Sequence, residues 1–124
     1  MFWHIDYKQS PVILVSFFDG DINDNSFNEY CIDFKKIFTH AKDNNIKLKI
    51  IMNMNFNKII PLKYIYKNMK FMKEIRQLGV EHFTKIYFIL KNNISRILLK
   101  TIFTLLKPAT PYEIHSSIDD INMS

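Results

Sequence analysis

Hydrophobic and polar residues alternate at the start of the chain and then give way to longer apolar runs. In "FWHIDY", the apolar side chains of Trp3, Ile5 and Tyr7 alternate with His4 and Asp6. This alternation predicts a strand with one buried face. The run "PVILVSFF" that follows is apolar almost throughout, which is typical of an inner strand covered on both faces. The residues "DGD" then predict a turn.

A three- and four-residue spacing of apolar positions predicts a helix in "SFNEYCIDFKKIFTHAKDNN". Ser26 and Glu29 have the spacing of a capping box, in which each side chain accepts a hydrogen bond from a backbone N–H of the first turn. We therefore expect Ser26 to cap this helix. The apolar positions form a single stripe, which consists of Phe27, Tyr30, Cys31, Phe34, Ile37, Phe38 and Ala41.

The rest of the chain repeats the alternation of strands and helices. "IKLKIIMNM" and "KIYFIL" predict inner strands, and "YEIHS" predicts a short strand near the end. A second helix is predicted over residues 61–78, with Gly79 closing it in a left-handed conformation. A third helix is predicted in "NNISRILLKTIFTLL", with Asn93 as its N-cap. Ser117 and the two aspartates that follow it predict a short last helix.

The predicted order of elements is β-β-α-β-α-β-α-β-α in a single domain over residues 1–124. Each helix after the first two strands must return the chain to a parallel neighbour through a right-handed crossover. We therefore expect the α/β class, with a mixed, mostly parallel sheet of about five strands and helices packed on it. The length of 124 residues suits one domain with one core.

Composition restricts the kinds of function that the chain can have. Ile, Asn, Lys, Phe and Tyr are plentiful, as expected for an AT-rich genome, so the net charge of +5 carries little weight as a sign of polyanion binding. The lysines are spread along the chain, and no aromatic–basic motif of the common nucleic-acid-binding modules is present. The single cysteine excludes an intramolecular disulfide, and the N-terminus lacks a signal-peptide pattern. The longest apolar stretch, residues 94–106, is too short to span a bilayer, so we predict a soluble cytoplasmic protein without a membrane or nucleic-acid partner.

Two stretches resemble a known family. "VSFFDGDINDNSFNEYCIDF" places Gly20, Asp21 and Asn23 in a polar turn between a strand and the first helix, and "IYFILKNNISRILLKTIF" has a strand followed by a helix that starts at a polar turn. With the order of elements, these features resemble the STAS domain (sulfate transporter and anti-sigma-factor antagonist) over nearly the whole chain. The resemblance implies a STAS-like fold and a non-catalytic protein-interaction module with a regulatory or assembly role.

The sequence departs from this family at the end of the third predicted strand. Bacterial anti-sigma-factor antagonists carry Asp-x-Ser there, and a partner kinase phosphorylates the serine. This chain has Asn53-Met54-Asn55 at that place, and no Ser or Thr lies between Asn44 and Gln77. Because asparagine has no hydroxyl group, the resemblance implies an interaction module without the phosphorylation switch.

No pattern of catalytic or metal-binding residues stands out. The four histidines lack the spacing of a helical metal pair, and Cys31 lies on the apolar stripe, where a buried hydrophobe is expected rather than a nucleophile. The two glycines, Gly20 and Gly79, are too far apart to form a phosphate-binding loop. We therefore expect no enzymatic activity, no cofactor and no metal.

The second and third predicted helices carry more apolar surface than packing on a sheet requires. Spare apolar area marks partner sites, although a helix tucked between its neighbours would explain it equally well. We expect Tyr64, Phe71 and Leu78 on an exposed flank beside a lysine sector, and we predict a protein partner or self-association. The predicted partner-binding residues are Asn53, Asn55, Phe56, Asn57, Lys58, Tyr64, Lys67 and Phe71.

Two other functions remain open. A lipid- or small-ligand-binding domain of the CRAL-TRIO kind has a related order of strands and helices, and a basic polyanion binder would fit the net charge. An apolar cavity beneath the second and third predicted helices would favour a lipid ligand. A filled core with an exposed, flat apolar patch would favour a protein partner.

Overall fold

The structure of the protein is a computed structural model that describes residues 1–54, 61–105 and 107–121. The strands are β1 (Trp3–Asp6), β2 (Val12–Phe17), β3 (Leu48–Met54), β4 (Phe83–Ile89) and β5 (Tyr112–His115). The α-helices are α1 (Asp24–Asp43), α2 (Leu62–Glu74), α3 (Arg76–His82) and α4 (Asn93–Leu105). A single turn of 3-10 helix, Ile118–Asp120, follows β5.

The five strands form one mixed sheet in the order β1-β2-β3-β4-β5. β1 and β2 pair antiparallel, and β2, β3, β4 and β5 pair with one another in parallel. Each parallel neighbour is reached through helices, as parallel pairing requires. The expected α/β class, with a mixed sheet of five strands, is confirmed.

The main core lies between one face of the sheet and the helices. Ile13 of β2 and Ile50 of β3 are fully buried on this face, opposite Ile37 of α1. Aromatic rings fill much of the remaining space, and Tyr30 lies at their centre with ring centroids of Phe17 and Phe34 at 5.5 and 5.9 Å. The predicted apolar stripe of α1 is therefore the side of that helix that meets the sheet.

The opposite face of the sheet carries a smaller apolar cluster. Ile51, Tyr87 and Ile89 are buried there, and Leu14 and Ile121 pack against them. Because Ile121 follows the 3-10 turn after β5, the end of the described chain covers part of this face. β2 itself alternates between fully buried and half-buried residues, so the face that carries Leu14 is covered less completely than a continuous apolar run had predicted.

Helix α1 begins three residues earlier than predicted. The Asn23 Oδ1 atom accepts a hydrogen bond from the Ser26 backbone N–H, and the Ser26 Oγ atom accepts one from the Asn23 N–H, both at 2.9 Å. The capping box is therefore formed by Asn23 and Ser26, and the prediction that Ser26 pairs with Glu29 is wrong. Asparagine is one of the strongest N-caps, and the serine satisfies the second free N–H.

The second predicted helix is divided into α2 and α3. The chain bends at Ile75, whose φ and ψ are −95° and 8°. Gly79 lies inside α3, where its N–H donates to the Ile75 carbonyl at 3.0 Å, and neither glycine has a positive φ. The expected left-handed closure at Gly79 is therefore wrong. A Cβ atom at this position would be in ordinary van der Waals contact with the Oγ1 atom of buried Thr110, at 3.4 Å.

The later helix starts also differ slightly from the prediction. Asn92, rather than Asn93, caps α4, because its Oδ1 atom accepts from the N–H groups of Ile94 and Ser95 at 2.8 and 3.4 Å. Ser117 caps the last helical segment as predicted, accepting from the Asp119 N–H at 3.3 Å. That segment is a 3-10 turn of three residues.

Candidate functional site

The predicted partner-binding residues do not all lie on one surface. Asn55, Phe56, Asn57 and Lys58 fall outside the described residues. Asn53 lies near the end of β3, half-buried, on the same face of the sheet as the smaller apolar cluster. The other three residues, on α2, have different surroundings from one another.

Phe71 belongs to the core, and the expectation that it is exposed on a flank is wrong. Phe71 is 5% exposed. The centroid of its ring lies 6.3 Å from that of Tyr30 and 5.9 Å from that of Phe34. Ile75, four residues later, is equally buried, so these two positions define the side of α2 that faces the core. The exposed apolar residues of α2 are instead Leu62 and Tyr66, at 62% and 61%.

Tyr64 and Lys67 connect α2 to the first turn of α1 through Asp24. The Asp24 Oδ1 atom accepts from Lys67 Nζ at 2.8 Å and from Tyr64 Oη at 3.2 Å, and Lys63 Nζ lies 3.0 Å from it. Hydrogen bonds from Lys67 and then Lys63 lower the pKa of Asp24 to about 2. The Tyr64 ring also packs on Phe27, with centroids 5.9 Å apart. Tyr64 and Lys67 therefore hold two helices together. Asp24 belongs to this group, although the sequence pattern did not indicate it.

Helix α4 has the most exposed apolar surface of the described helices. Ile94, Ile97, Leu98 and Leu105 are between 53% and 81% exposed, and no described side chain of this helix is fully buried. Thr101 lies among them, and its hydroxyl donates to the Ile97 carbonyl at 2.9 Å, which satisfies the hydroxyl within the helix. These five residues are called the α4 face below.

The opposite side of α4 rests on the sheet through a small number of aromatic contacts. The Phe103 ring lies 5.2 Å from Phe88 of β4 and 4.8 Å from Tyr112, measured between centroids. Arg96 holds the start of the helix, since its guanidinium donates to the carbonyls of Leu90 and Lys91 at 2.7 and 2.8 Å. The helix is thus held in place while its outer side stays open to solvent.

Comparison with protein-family models, with curated proteins and with solved structures gives no match. Within the described residues, no helix has both the length and the apolar character needed to cross a bilayer. No group of three or more His, Cys, Asp or Glu side chains in that part of the chain is arranged to hold a metal ion.

A serine and a histidine come together in a way that the sequence did not indicate. Ser10 Oγ lies 3.1 Å from His40 Nε2, and Asn44 Nδ2 lies 3.4 Å from His40 Nδ1 while donating to the His40 carbonyl at 2.8 Å. These contacts join the turn before β2 to the last turn of α1.

A second polar group lies on the face of the sheet that carries the smaller apolar cluster. Lys85 of β4 forms an ion pair with Glu113 of β5, and His115 Nε2 lies 2.8 Å from Glu113 Oε1. Hydrogen bonds from Lys85 and then His115 lower the pKa of Glu113, and the bond to Glu113 raises the pKa of Lys85. The three side chains satisfy one another, so they connect two strands and leave little free charge for a ligand.

Cys31 is half-buried on α1, at the edge of the main core. Burial raises the pKa of its thiol to about 11. The thiol is therefore almost entirely protonated near neutral pH, and nucleophilic chemistry needs the thiolate. The packing of Cys31 beside the core agrees with a small hydrophobe rather than a reactive group.

Proposed function

We propose that the protein is a non-catalytic protein-interaction module with a regulatory or assembly role. The observation that carries this proposal is the α4 face, in which four large aliphatic residues are more than half exposed on one helix. Contiguous exposed apolar surface on a monomer marks an interaction site. Covering such a surface gains about 25 cal/mol of free energy for each Å² of apolar area removed from water. A partner whose shape matches the α4 face would therefore be bound.

The order of elements supports a STAS-like domain as the framework of this module. Strands and helices alternate after β2, and Gly20, Asp21 and Asn23 occupy the turn before α1. By the resemblance, Asn53 near the end of β3 would correspond to the aspartate of the antagonists' switch. The proposed module therefore binds its partner without a serine phosphorylation switch at this place.

A CRAL-TRIO-like lipid site has less support from the described residues. A cavity of about 240 Å³ lies between β1 and α1, away from α2 and α4. Trp3 lines it, and its indole N–H donates to Asp33 Oδ2 at 2.9 Å. Asp33 and Lys36 place charged groups in its lining, and an acyl chain there would have to cover them.

Site-specific photo-crosslinking would test the proposed function. A photoreactive amino acid at Ile97 on the α4 face should give discrete adducts with a protein of the native source. The matched control places the same amino acid at Ile32 on α1, whose exposure of 59% is close to the 56% of Ile97. Equal adduct yields at the two positions, or none at Ile97, would contradict an interaction surface on α4.

A further inference from the structure

Charge is distributed unevenly over the chain. Residues 61–111 contain ten basic residues (Lys or Arg) and two acidic residues (Asp or Glu). The remaining residues contain seven basic and ten acidic residues. Between Glu81 and Glu113 there is no acidic residue at all. The part of the chain that contains α2 and α4 is therefore strongly basic, and the rest has a small net negative charge.

Three lysines in the basic part lie on α4 or beside its ends. Lys91 and Lys107 flank the two ends of the helix and Lys100 lies within it, and all three are exposed. No ion pair joins any of them to another described residue, in contrast to Lys85 with Glu113. Arg96 also differs from them, because its guanidinium is bound to backbone carbonyls. The lysines are thus free to pair with charges from outside the chain.

The spacing within the α4 face is that of a helix–helix seam. Ile94, Leu98, Thr101 and Leu105 follow one another at intervals of four, three and four residues, which places them on one line along the helix. Thirteen residues give this line a length of about 20 Å at 1.5 Å per residue. A partner helix of about four turns would match it.

We infer that the α4 face binds an acidic amphipathic helix of a partner protein. The apolar side of such a helix would cover Ile94, Leu98 and Leu105, and its flanking carboxylates would meet the free lysines. A second copy of this chain is a poorer match, because α4 and the residues that flank it carry positive charges and no negative ones. Nucleic acid has the charge but lacks an aliphatic surface to cover these residues. This inference rests on the proposed function and specifies the chemistry of the partner.

The test uses a designed helical peptide of about three heptads, with leucine at its a and d positions and glutamate at its e and g positions. A second peptide with lysine at e and g provides the control of opposite charge. Fluorescence anisotropy at tracer concentrations of peptide would measure binding to the full chain. The acidic peptide should bind at least about tenfold more tightly than the basic one, and salt should weaken its binding.

Variants of the chain then separate the apolar and charged contributions. Ile94→Ser with Leu98→Ser should weaken binding of the acidic peptide by about tenfold or more. Lys100→Glu with Lys107→Glu should weaken binding of the acidic peptide and strengthen binding of the basic peptide. Ile32→Ser and Lys47→Glu, at exposed positions outside the α4 region, are the matched controls and should leave both affinities unchanged.

Three results would overturn the inference. The first is no binding of the acidic peptide, or equal binding of both peptides. The second is that the chain binds vesicles of anionic phospholipid but not the acidic peptide, and that the Ile94 and Leu98 variant loses the vesicle binding. This result would mean that the α4 face binds a membrane surface. The third is a dimer in sedimentation velocity that the same variant abolishes. If the acidic peptide does not bind while the photoreactive group at Ile97 still gives protein adducts, the proposed function stands. Only the inference that the partner is an acidic helix is then wrong.

Discussion

Single residues on α1 show how sharply core and surface are separated along one helix. Phe34 is 1% exposed, whereas the Lys36 side chain, two positions later, is 68% exposed. We expect Phe34→Ala to lower the free energy of unfolding by about 3–5 kcal/mol, because truncation leaves a cavity among the surrounding rings. Lys36→Ala should cost under about 0.5 kcal/mol, since its pair with Asp33 is exposed. Urea melts would measure both values, and equal losses would contradict the helical register described here.

The thiol of Cys31 provides a second test at the residue scale. Burial raises its pKa to about 11 from an ordinary value of 9.0, so the fraction of thiolate at neutral pH is lower than in the unfolded chain. Alkylation by iodoacetamide should therefore be about tenfold or more slower in the native protein than in urea. The native rate should keep rising with pH up to about 11. A plateau reached below pH 9 would mean that the thiol is not buried as described.

Residues of the candidate site were predictable only in part. Periodicity placed Phe71 and Tyr64 in the apolar arc of one helix, but the arc is wider than the sheet can cover. Which side of it meets the core depends on how α2 packs on Tyr30 and Phe34, and this packing is set by residues far away in the chain. The hydrogen bond that Lys67 donates to Asp24 joins residues 43 positions apart, and no local pattern indicates such a contact.

At the scale of elements, the link between α1 and α2 should make stability depend on acid pH. Asp24 has a pKa of about 2 against an ordinary 3.8, because Lys67 and Lys63 donate to its carboxylate. Its folded-state pKa is lowered, so its contribution to stability is present above about pH 4 and is lost as the pH falls towards 2. We expect Asp24→Asn to lower the thermal midpoint at neutral pH, and the difference from the wild type should shrink over that acid range. A difference independent of pH would contradict the ion pairs.

The existence of the elements was easier to predict than their ends. Every predicted strand is present in the structure, because alternating or continuous apolar runs reflect burial on a sheet. The ends depend on competition between neighbouring polar side chains. Asn23 and Ser26 are both good caps, and Asn92 and Asn93 are identical as residues, so small differences in backbone geometry decide which one caps the helix.

At the scale of the whole molecule, the sequence predicted an exposed apolar flank on α2 at Tyr64 and Phe71. The structure instead exposes aliphatic residues on the α4 face. Tyr64 and Phe71 hold α2 against α1 and the core, and α4 carries the larger group of exposed aliphatic residues. Nothing in the local pattern of α2 or α4 distinguishes these two outcomes, because both helices are apolar over more than half of their circumference. The difference follows from α2 packing on the rings of α1, while α4 rests on the sheet through Phe103.

Two double variants would test this assignment of core and surface. Tyr64→Ser with Phe71→Ser should abolish the cooperative thermal transition in circular dichroism. Loss of the Phe71 ring alone costs about 3–5 kcal/mol, which is a large part of the 5–15 kcal/mol by which domains are usually stable. Ile94→Ser with Leu98→Ser should keep that transition and change the free energy of unfolding by under about 1 kcal/mol, because both side chains already contact water. If the first variant stayed folded, Phe71 would not belong to the core. If the second unfolded, the α4 face would be covered within the protein itself, and a partner would have no surface to bind.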